Sequence, residues 1–176
     1  SAIPQMLSGN KASDGKNLIL KDSNKNNLIA QHPEIARFIY KQMGSEEFLN
    51  DGSRWCIYIQ DNELSEAMRF PPIKEILDKV SDFRKNSTEK STVKMADCPH
   101  KYYYDSHQFV NKIIVPATSS IRRRYIPIGI LDKDIIVSNA AFVVNASDLW
   151  LFGILMSYMH MCWVMAVGGR MKNDYR

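Results

Sequence analysis

The chain has 176 residues, a length that fits one domain with a sizeable hydrophobic core. Its three cysteines, Cys56, Cys98 and Cys162, are odd in number and widely spaced, which argues against a disulfide framework and fits a reducing cytoplasm. The net charge of +4 is unevenly distributed, because residues 84–124 carry nine Lys or Arg against three acids, a local excess of +6. Such a basic strip is typical of nucleic-acid binders, although an anionic membrane surface would attract it too.

In chain order, residues 1–16 are rich in Gly, Ser, Asn and Lys and predict an irregular arm. A short strand at 17–20, a helix ending near Ala30 and a strand at 55–59 follow. A longer helix begins at Pro71, with a basic continuation that extends the segment to residue 95. Its predicted buried stripe comprises Ile73, Ile76, Leu77, Val80 and Phe83, and Arg84 is assigned to the polar face.

Four β-branched segments at 112–115, 124–130, 134–137 and 141–144 predict a meander of short strands. The last element, from Leu149 to Gly169, has no formal charge over 21 residues. It is either a transmembrane span or a buried helix wrapped by strands, with His160 as a core residue. The sequence favours an α+β class, a single domain with a mainly antiparallel sheet packed around a buried C-terminal helix and flanking helices.

The stretch Pro116 to Gly129 carries the most suggestive chemistry. Three consecutive arginines follow two serines, and guanidinium groups pair bidentately with phosphate while hydroxyls supply further contacts. The alternative is a solvated basic turn, because a short basic run is a weak motif. The predicted contacts to a DNA backbone are Ser119, Ser120, Arg122, Arg123 and Arg124.

A second candidate surface surrounds three consecutive tyrosines. Lys101, Tyr102 and Tyr104 are possible DNA contacts, because tyrosine can stack on a base and donate a hydrogen bond. The alternative is a strand in which Tyr103 is buried. Cys98, His100 and His107 lack the paired spacing of a zinc site, so no metal is predicted. A small enzyme using His100, His107 and Asp105 would be a third kind of function, and no motif spacing supports it.

Several sequence segments, taken together, resemble those of a known protein family. They are Gly44-Ser-Glu-Glu-Phe, Arg54-Trp-Cys, Ser119-Ser-Ile-Arg-Arg-Arg-Tyr-Ile-Pro-Ile-Gly, Met159-His-Met-Cys-Trp-Val and Gly169-Arg-Met-Lys-Asn-Asp-Tyr-Arg. Over nearly all of its length the chain resembles the target recognition domain of MmeI-like type IIL or IIG restriction-modification enzymes.

The resemblance implies a DNA target recognition domain spanning 1–176, a fragment of a larger bacterial cytoplasmic protein. The parent would be an S-adenosylmethionine-dependent adenine methyltransferase and restriction endonuclease. The family's cofactor loop and Asn-Pro-Pro-Tyr motif are absent here, so no catalytic residue or cofactor is assigned to this chain. The implied partners are double-stranded DNA and the parent's methyltransferase domain. The alternative is a membrane-anchored protein with a C-terminal transmembrane helix and a basic juxtamembrane surface.

The C-terminal stretch Gly168–Arg176 is the predicted base-reading element. Lys172 and Asp174 are two residues apart and would point the same way in an extended run. Lysine donates to guanine and aspartate accepts from cytosine, so the pair could read one G·C base pair. The alternative is an exposed, self-neutralising ion pair. The corresponding family tail is implicated in choosing a base, which favours recognition by Lys172 and Asp174, with Arg170 and Arg176 anchoring the backbone.

Overall fold

The computed structural model describes residues 4–171, 174 and 175. Its class is α+β, as predicted. In chain order the elements are β1 (Met6–Ser8), β2 (Ile19–Leu20), α1 (Asp22–Gln31), a 3-10 helix (Pro33–Phe38), β3 (Ile39–Met43), α2 (Ser45–Asn50), β4 (Arg54–Ile57), α3 (Leu64–Ala67), α4 (Pro71–Lys85), α5 (Lys90–Val93), β5 (Lys112–Pro116), β6 (Ser119–Ser120), β7 (Gly129–Leu131), β8 (Ile136–Val137), β9 (Ala141–Val144), α6 (Leu149–Leu155), α7 (Tyr158–Val167), β10 (Arg170–Met171) and β11 (Asp174–Tyr175).

The chain forms two compact units that alternate along the sequence. We call residues 10–42 and 53–105 the helical unit. The described parts of 1–9, 43–52 and 106–176 form what we call the sheet unit. Each unit has its own buried residues, so each is described by itself.

In the helical unit, β4 lies between β2 and β3 in antiparallel order, with Cys56 opposite both Ile19 and Tyr40. Cys56 is buried, and this burial raises the pKa of its thiol to about 12. The helix α4 begins with two prolines, which suit the first helical turn because no backbone donor is needed there. It buries Ile73, Leu77 and Val80, in agreement with the predicted stripe.

Two details of α4 differ from the prediction. Phe83 is exposed, and Arg84 takes the inward position instead. Arg84 is four residues after Val80, and residues at i and i+4 lie on the same helix face. The helix also ends at Lys85, so the segment 71–95 is not one continuous helix but α4 followed by the separate short α5.

The sheet unit is built on an antiparallel sheet of order β1, β9, β5, β7. Every residue of the interior strand β5 is buried, in keeping with the apolar residues that follow Lys112. Ile113 packs with Val144 and Leu151 on one face, whereas Ile114 packs with Val143 on the other. Alternate strand residues point to opposite faces, so both faces of this sheet are covered.

Two predicted segments of the sheet unit have a different structure. The irregular arm over residues 1–16 contains a strand, because Met6–Ser8 pairs antiparallel with β9. The predicted strand 124–130 is shorter and later, since only Gly129–Leu131 pairs with β5. Gly129 lies against the ring of Phe48, where a Cβ atom would approach a ring carbon to 2.6 Å, so a larger residue would have to displace that ring.

The predicted buried C-terminal helix is wrong in two respects. It is two helices, α6 and α7, with axes bent by 49°. Most of their large apolar side chains are exposed, and only Leu151 and Met161 are buried. Within the described residues, no single helix is long and apolar enough to cross a membrane, although the bent pair together meets the criteria of length and composition.

Candidate nucleic-acid interface

The three consecutive arginines lie in a turn after β6, and Arg124 does not begin a strand as predicted. The Arg123 amide donates to the Ser120 carbonyl at 3.0 Å, and the Arg122 amide lies 3.3 Å from the Ser120 hydroxyl oxygen. Arg122, Arg123 and Arg124 are all exposed. Because these residues lie in a turn, strand alternation does not place Arg123 on the opposite face from Arg122 and Arg124.

The C-terminal strands place Asp174 beside the serines of β6. The three strands form an antiparallel sheet of order β10, β11, β6. Asp174 is opposite Ser120, and Tyr175 is opposite Ser119. Directly paired residues point to the same face of a sheet, so Asp174 and Ser120 share one face. A predicted base-reading residue therefore lies two residues from the start of the arginine run in this register.

Not all predicted C-terminal contacts fall on residues that the structure describes. Lys172 and Arg176 lie outside the described residues. The backbone of Arg170 is in β10, where it pairs with Tyr175 of β11. Asp174 is exposed, as a base contact requires. Sequence reasoning missed the pairing of Asp174 with Ser120, because no local pattern indicates the register between segments so distant in the chain.

The hydroxyls of β6 differ in their surroundings. Ser119 is buried, and its Oγ atom has no hydrogen-bond partner among the described residues. Ser120 is half-buried and is the residue that holds the turn. The guanidinium carbon of Arg124 lies 5.5 Å from the centre of the Tyr125 ring, a distance suited to a cation–π contact. Ser120 is therefore better placed than Ser119 to meet a ligand.

The tyrosine segment in the helical unit is only partly available. Tyr102 is buried, and its hydroxyl donates to the Ile57 carbonyl at 3.0 Å, so its prediction as a DNA contact is wrong. The alternative with Tyr103 buried is wrong too, because Tyr103 is half-buried. Tyr104 is exposed and its ring meets that of Tyr103 edge-on. Of the three predicted contacts, Lys101 and Tyr104 remain accessible.

Lys101 belongs to a polar cluster at the mouth of a cavity of about 460 Å³ in the helical unit. Its ammonium donates to Asp61 at 2.8 Å, and the buried His100 lies 2.8 Å from the other carboxylate oxygen. These two hydrogen bonds, the one from Lys101 foremost, hold the pKa of Asp61 below its usual value. Asp61 neutralises much of the charge that Lys101 would offer to a phosphate.

The residues of the hypothetical small enzyme have other partners or belong to different units. His100 and Asp105 line the same cavity, but His100 is bound to Asp61, and Asp105 accepts from the hydroxyl of Tyr58 at 2.9 Å. His107 belongs to the sheet unit. Within residues 4–171, 174 and 175, no group of three or more His, Cys, Asp or Glu side chains could hold a metal ion.

Two of the nine cations in the basic strip are internal. Arg84 is 0% exposed, and its guanidinium donates to five backbone carbonyls. Lys112 is 1% exposed, and its ammonium lies within hydrogen-bond distance of three carbonyls. These two side chains are hydrogen-bonded inside the protein and cannot touch a ligand. The exposed positive charge of the sheet unit is therefore more concentrated at the arginine turn than the sequence count indicated.

Comparisons with known proteins agree with the resemblance. The family model described as the MmeI target recognition domain matches residues 1–176. "DNA methyltransferase A" of Bacillus subtilis (strain 168) is 38% identical over 177 residues, which cover 100% of this chain and 20% of that protein. A structure of the type IIL restriction-modification enzyme MmeI in complex with DNA has a TM-score of 0.93 at 36% identity, covering 100% of this chain and 24% of that chain.

This chain thus spans about a fifth to a quarter of the length of these two relatives. The match confirms the resemblance and gives no support to the alternative of a membrane-anchored protein. It extends over the whole sequence, including both the helical unit and the sheet unit. The chain belongs to the MmeI target recognition domain family.

Proposed function

We propose that this chain reads the base sequence of double-stranded DNA for a bacterial restriction-modification DNA methyltransferase. The observation that carries the proposal is the pairing of β11 with β6, in which Asp174 lies opposite Ser120. A carboxylate suited to a base edge is thereby close in the fold to an exposed run of guanidinium groups suited to phosphates. The DNA-bound structure of the similar enzyme MmeI supports the same partner class.

The arginine turn supplies the backbone contacts in this proposal. Arg122, Arg123 and Arg124 are exposed, and Ser120 fixes the start of their turn through the Arg122 amide. Phosphate contacts give affinity and orientation without sequence information. Arg170 and Arg176 are proposed to add contacts to the DNA backbone. Lys101 and Tyr104 of the helical unit are secondary contacts, with Lys101 weakened by its ion pair to Asp61.

Lys172 and Asp174 supply the base contacts. A lysine donates to O6 and N7 of guanine, and an aspartate accepts from N4 of cytosine, so together they select a G·C pair in one orientation. Asp174 is exposed on the sheet face that it shares with Ser120. A wrong base pair would leave one of these charged groups unpaired in a desolvated groove, which is the source of discrimination.

The chemistry belongs to the rest of the parent protein. We propose that the parent is an S-adenosylmethionine-dependent adenine methyltransferase that also carries an endonuclease, and that it acts in the bacterial cytoplasm. S-adenosylmethionine would bind in the methyltransferase domain, and this chain would hold no cofactor and catalyse no step. The similarity to a DNA methyltransferase and to a restriction-modification enzyme, each four to five times longer, supports this division of roles.

The test uses the full-length parent with Lys172→Glu and Asp174→Arg combined. The new arginine favours guanine and the new glutamate favours cytosine, so the preferred base pair should invert at one position of the methylated sequence. Sequencing of methylated sites measures this. The matched control is Lys74→Glu with Asp78→Arg, a charge exchange on exposed residues of α4 that should leave the target unchanged. An unchanged target in an active double variant at 172 and 174 would refute the base assignment.

Competition experiments test the partner class separately. Duplex DNA and duplex RNA of the same sequence would compete for the full-length protein at fixed salt. The proposal predicts preference for DNA, since the major groove of RNA is too narrow for side chains to read. Preference for RNA would refute DNA recognition, whatever the roles of individual residues.

A further inference from the structure

The helices α6 and α7 of the sheet unit present an unusually apolar exposed surface, which we call the α6–α7 face. No residue from 149 to 169 is Asp, Glu, Lys or Arg. Met159 is 82% exposed and Trp163 is 65% exposed. The α6–α7 face comprises Leu149, Trp150, Ile154, Tyr158, Met159, Trp163, Met165 and Val167. Proteins seldom leave so many large apolar side chains of neighbouring helices in water, so the face indicates an interaction site.

The bend between the two helices is held by specific contacts, so the face has a defined shape. The Ser157 hydroxyl accepts from the His160 amide at 3.1 Å and caps the start of α7. The His160 ring nitrogen Nδ1 lies 2.7 Å from the Leu155 carbonyl at the end of α6. On the inner side, Leu151 packs with Ile113 against the central sheet. The apolar side chains thus project from a fixed scaffold.

The chemistry of the face fits a protein surface better than a lipid surface. Helices that lie in a membrane interface carry Lys and Arg along their polar face, whereas this segment has none. The cores of protein interfaces are depleted in charged residues and enriched in Trp, Tyr and Met. That composition is the one found here, with two tryptophans, one tyrosine and two methionines on the face.

We propose that the α6–α7 face is the docking surface for the methyltransferase domain of the same full-length polypeptide. This inference rests on the proposed function, in which such a domain exists. The similar proteins are four to five times as long as this chain, so a parent of comparable length would have other domains within the same polypeptide that could cover the face. A large hydrophobic interface is what keeps two domains of one chain in a fixed relative position. Docking there would fix the recognition domain relative to the catalytic site.

Chemical modification of Cys162 can report on this contact. It is exposed, it lies in α7, and it follows Met159 by three residues, so the two share one side of the helix. The rate at which N-ethylmaleimide modifies Cys162 would be measured by mass spectrometry of its peptide, in the 176-residue chain and in the full-length protein. We expect modification to be at least tenfold slower in the full-length protein. Equal rates would overturn the inference.

Matched variants test whether the α6–α7 face is responsible for the protection of Cys162. Met159→Glu in the full-length protein should restore rapid modification of Cys162, because a carboxylate resists burial in an apolar interface. Met68→Glu is the control, since Met68 is an exposed methionine of the helical unit, and Cys162 should stay protected in that variant. The wild-type comparison needs no variant, so the inference remains testable if Met159→Glu does not fold.

Other occupants give different results. Protection of Cys162 in the 176-residue chain that grows with protein concentration would identify a second copy, and would overturn the inference. Protection of that chain by vesicles of phosphatidylcholine and phosphatidylglycerol, with none in the full-length protein, would identify a lipid surface and overturn it too. Methylation of DNA is assayed in parallel. Methylation with an unprotected Cys162 refutes the docking alone, and a protected Cys162 without methylation refutes the proposed function alone.

Discussion

The helical unit and the sheet unit each enclose one buried cation, and the two cations differ in how many carbonyls they satisfy. Arg84 in the helical unit donates five hydrogen bonds to backbone carbonyls, at distances from 2.7 to 3.1 Å. Lys112 in the sheet unit reaches three carbonyls, with His107 as a fourth neighbour at 3.0 Å. The Arg84 carbonyls belong to Ala12, Ser13, Met95, Cys98 and Lys101.

This difference shows how the two units are stabilised. The five planar donors of arginine can join several loops at once, and here they join residues 12–13 to residues 95–101. Burial lowers the pKa of Arg84, but a guanidinium remains charged in the physiological range. Lysine has only three donors and loses its proton more easily, and burial lowers the pKa of Lys112 to about 8. Arg84 is thus a permanent cross-link, whereas Lys112 is a titratable one.

The largest expected effect comes from Arg84→Met, which keeps the apolar stem and removes the guanidinium. Five carbonyls lose their donor in a site without room for bulk water, so we expect the free energy of unfolding to fall by about 3–5 kcal/mol. Urea denaturation followed by circular dichroism measures this. The matched control is Lys85→Met at the next position, which is exposed and should change stability by less than about 0.5 kcal/mol. A loss below about 1 kcal/mol in Arg84→Met would contradict the cross-link.

At pH 7, Lys112→Met should lower the free energy of unfolding by less than Arg84→Met does. Three carbonyls lose a donor, but the cost of keeping an ammonium ion in an apolar site disappears at the same time. We expect a loss of about 1–2 kcal/mol by urea denaturation. A loss equal to that of Arg84→Met would show that the number of donors does not set the difference between the two units.

The pH dependence of stability tests the titratable cross-link directly. In the unfolded chain Lys112 has its ordinary pKa of 10.5, against about 8 in the folded protein. Between these values the unfolded state binds more protons, so the contribution of Lys112 to stability rises with pH. Relative to Lys112→Met, the wild type should gain about 2 kcal/mol between pH 7 and pH 10. The variant is the reference because other groups also titrate between pH 7 and pH 10. If the difference in free energy of unfolding between the two proteins stayed constant over that range, the pKa of Lys112 would not be lowered.

The sequence predicted the fold class and the main elements because their signals are local. The strands at 112–115 and 141–144 follow from their β-branched residues, and the buried stripe of α4 follows from its helical periodicity. The position of Arg84 was also recoverable, since it is four residues after Val80 on the buried face. The helix at 149–169 was wrongly assigned as buried, because hydropathy does not distinguish an apolar side chain in a core from one that is exposed at the surface.

The sequence suggested which residues could form the candidate site but not how they are arranged. The hydroxyls and arginines were proposed because their chemistry is visible in the sequence. The pairing of Asp174 with Ser120 joins residues 54 positions apart, and no local pattern determines such a register. The burial of Tyr102 was missed for a related reason, since adjacent tyrosines have the same propensity and only tertiary packing decides which one faces inward.

The smallest effect on the free energy of unfolding is expected for single alanine substitutions of Arg122, Arg123 and Arg124. These substitutions compare exposed cations with the buried ones. These side chains are exposed, so each substitution should change the free energy of unfolding by less than about 0.5 kcal/mol. If an arginine contacts a phosphate, its loss should weaken binding to all DNA sequences alike and reduce the slope of log affinity against log salt by about one. Fluorescence anisotropy over a salt series measures the DNA affinity and its salt slope.

The matched control is Lys74→Ala, which removes an exposed charge on α4 and should leave the slope unchanged. Because the three arginines lie in a turn rather than a strand, no alternation among them is expected, and more than one can contribute. Unchanged slopes in all three variants would place the DNA surface elsewhere, while leaving the contrast between Arg84 and Lys112 intact.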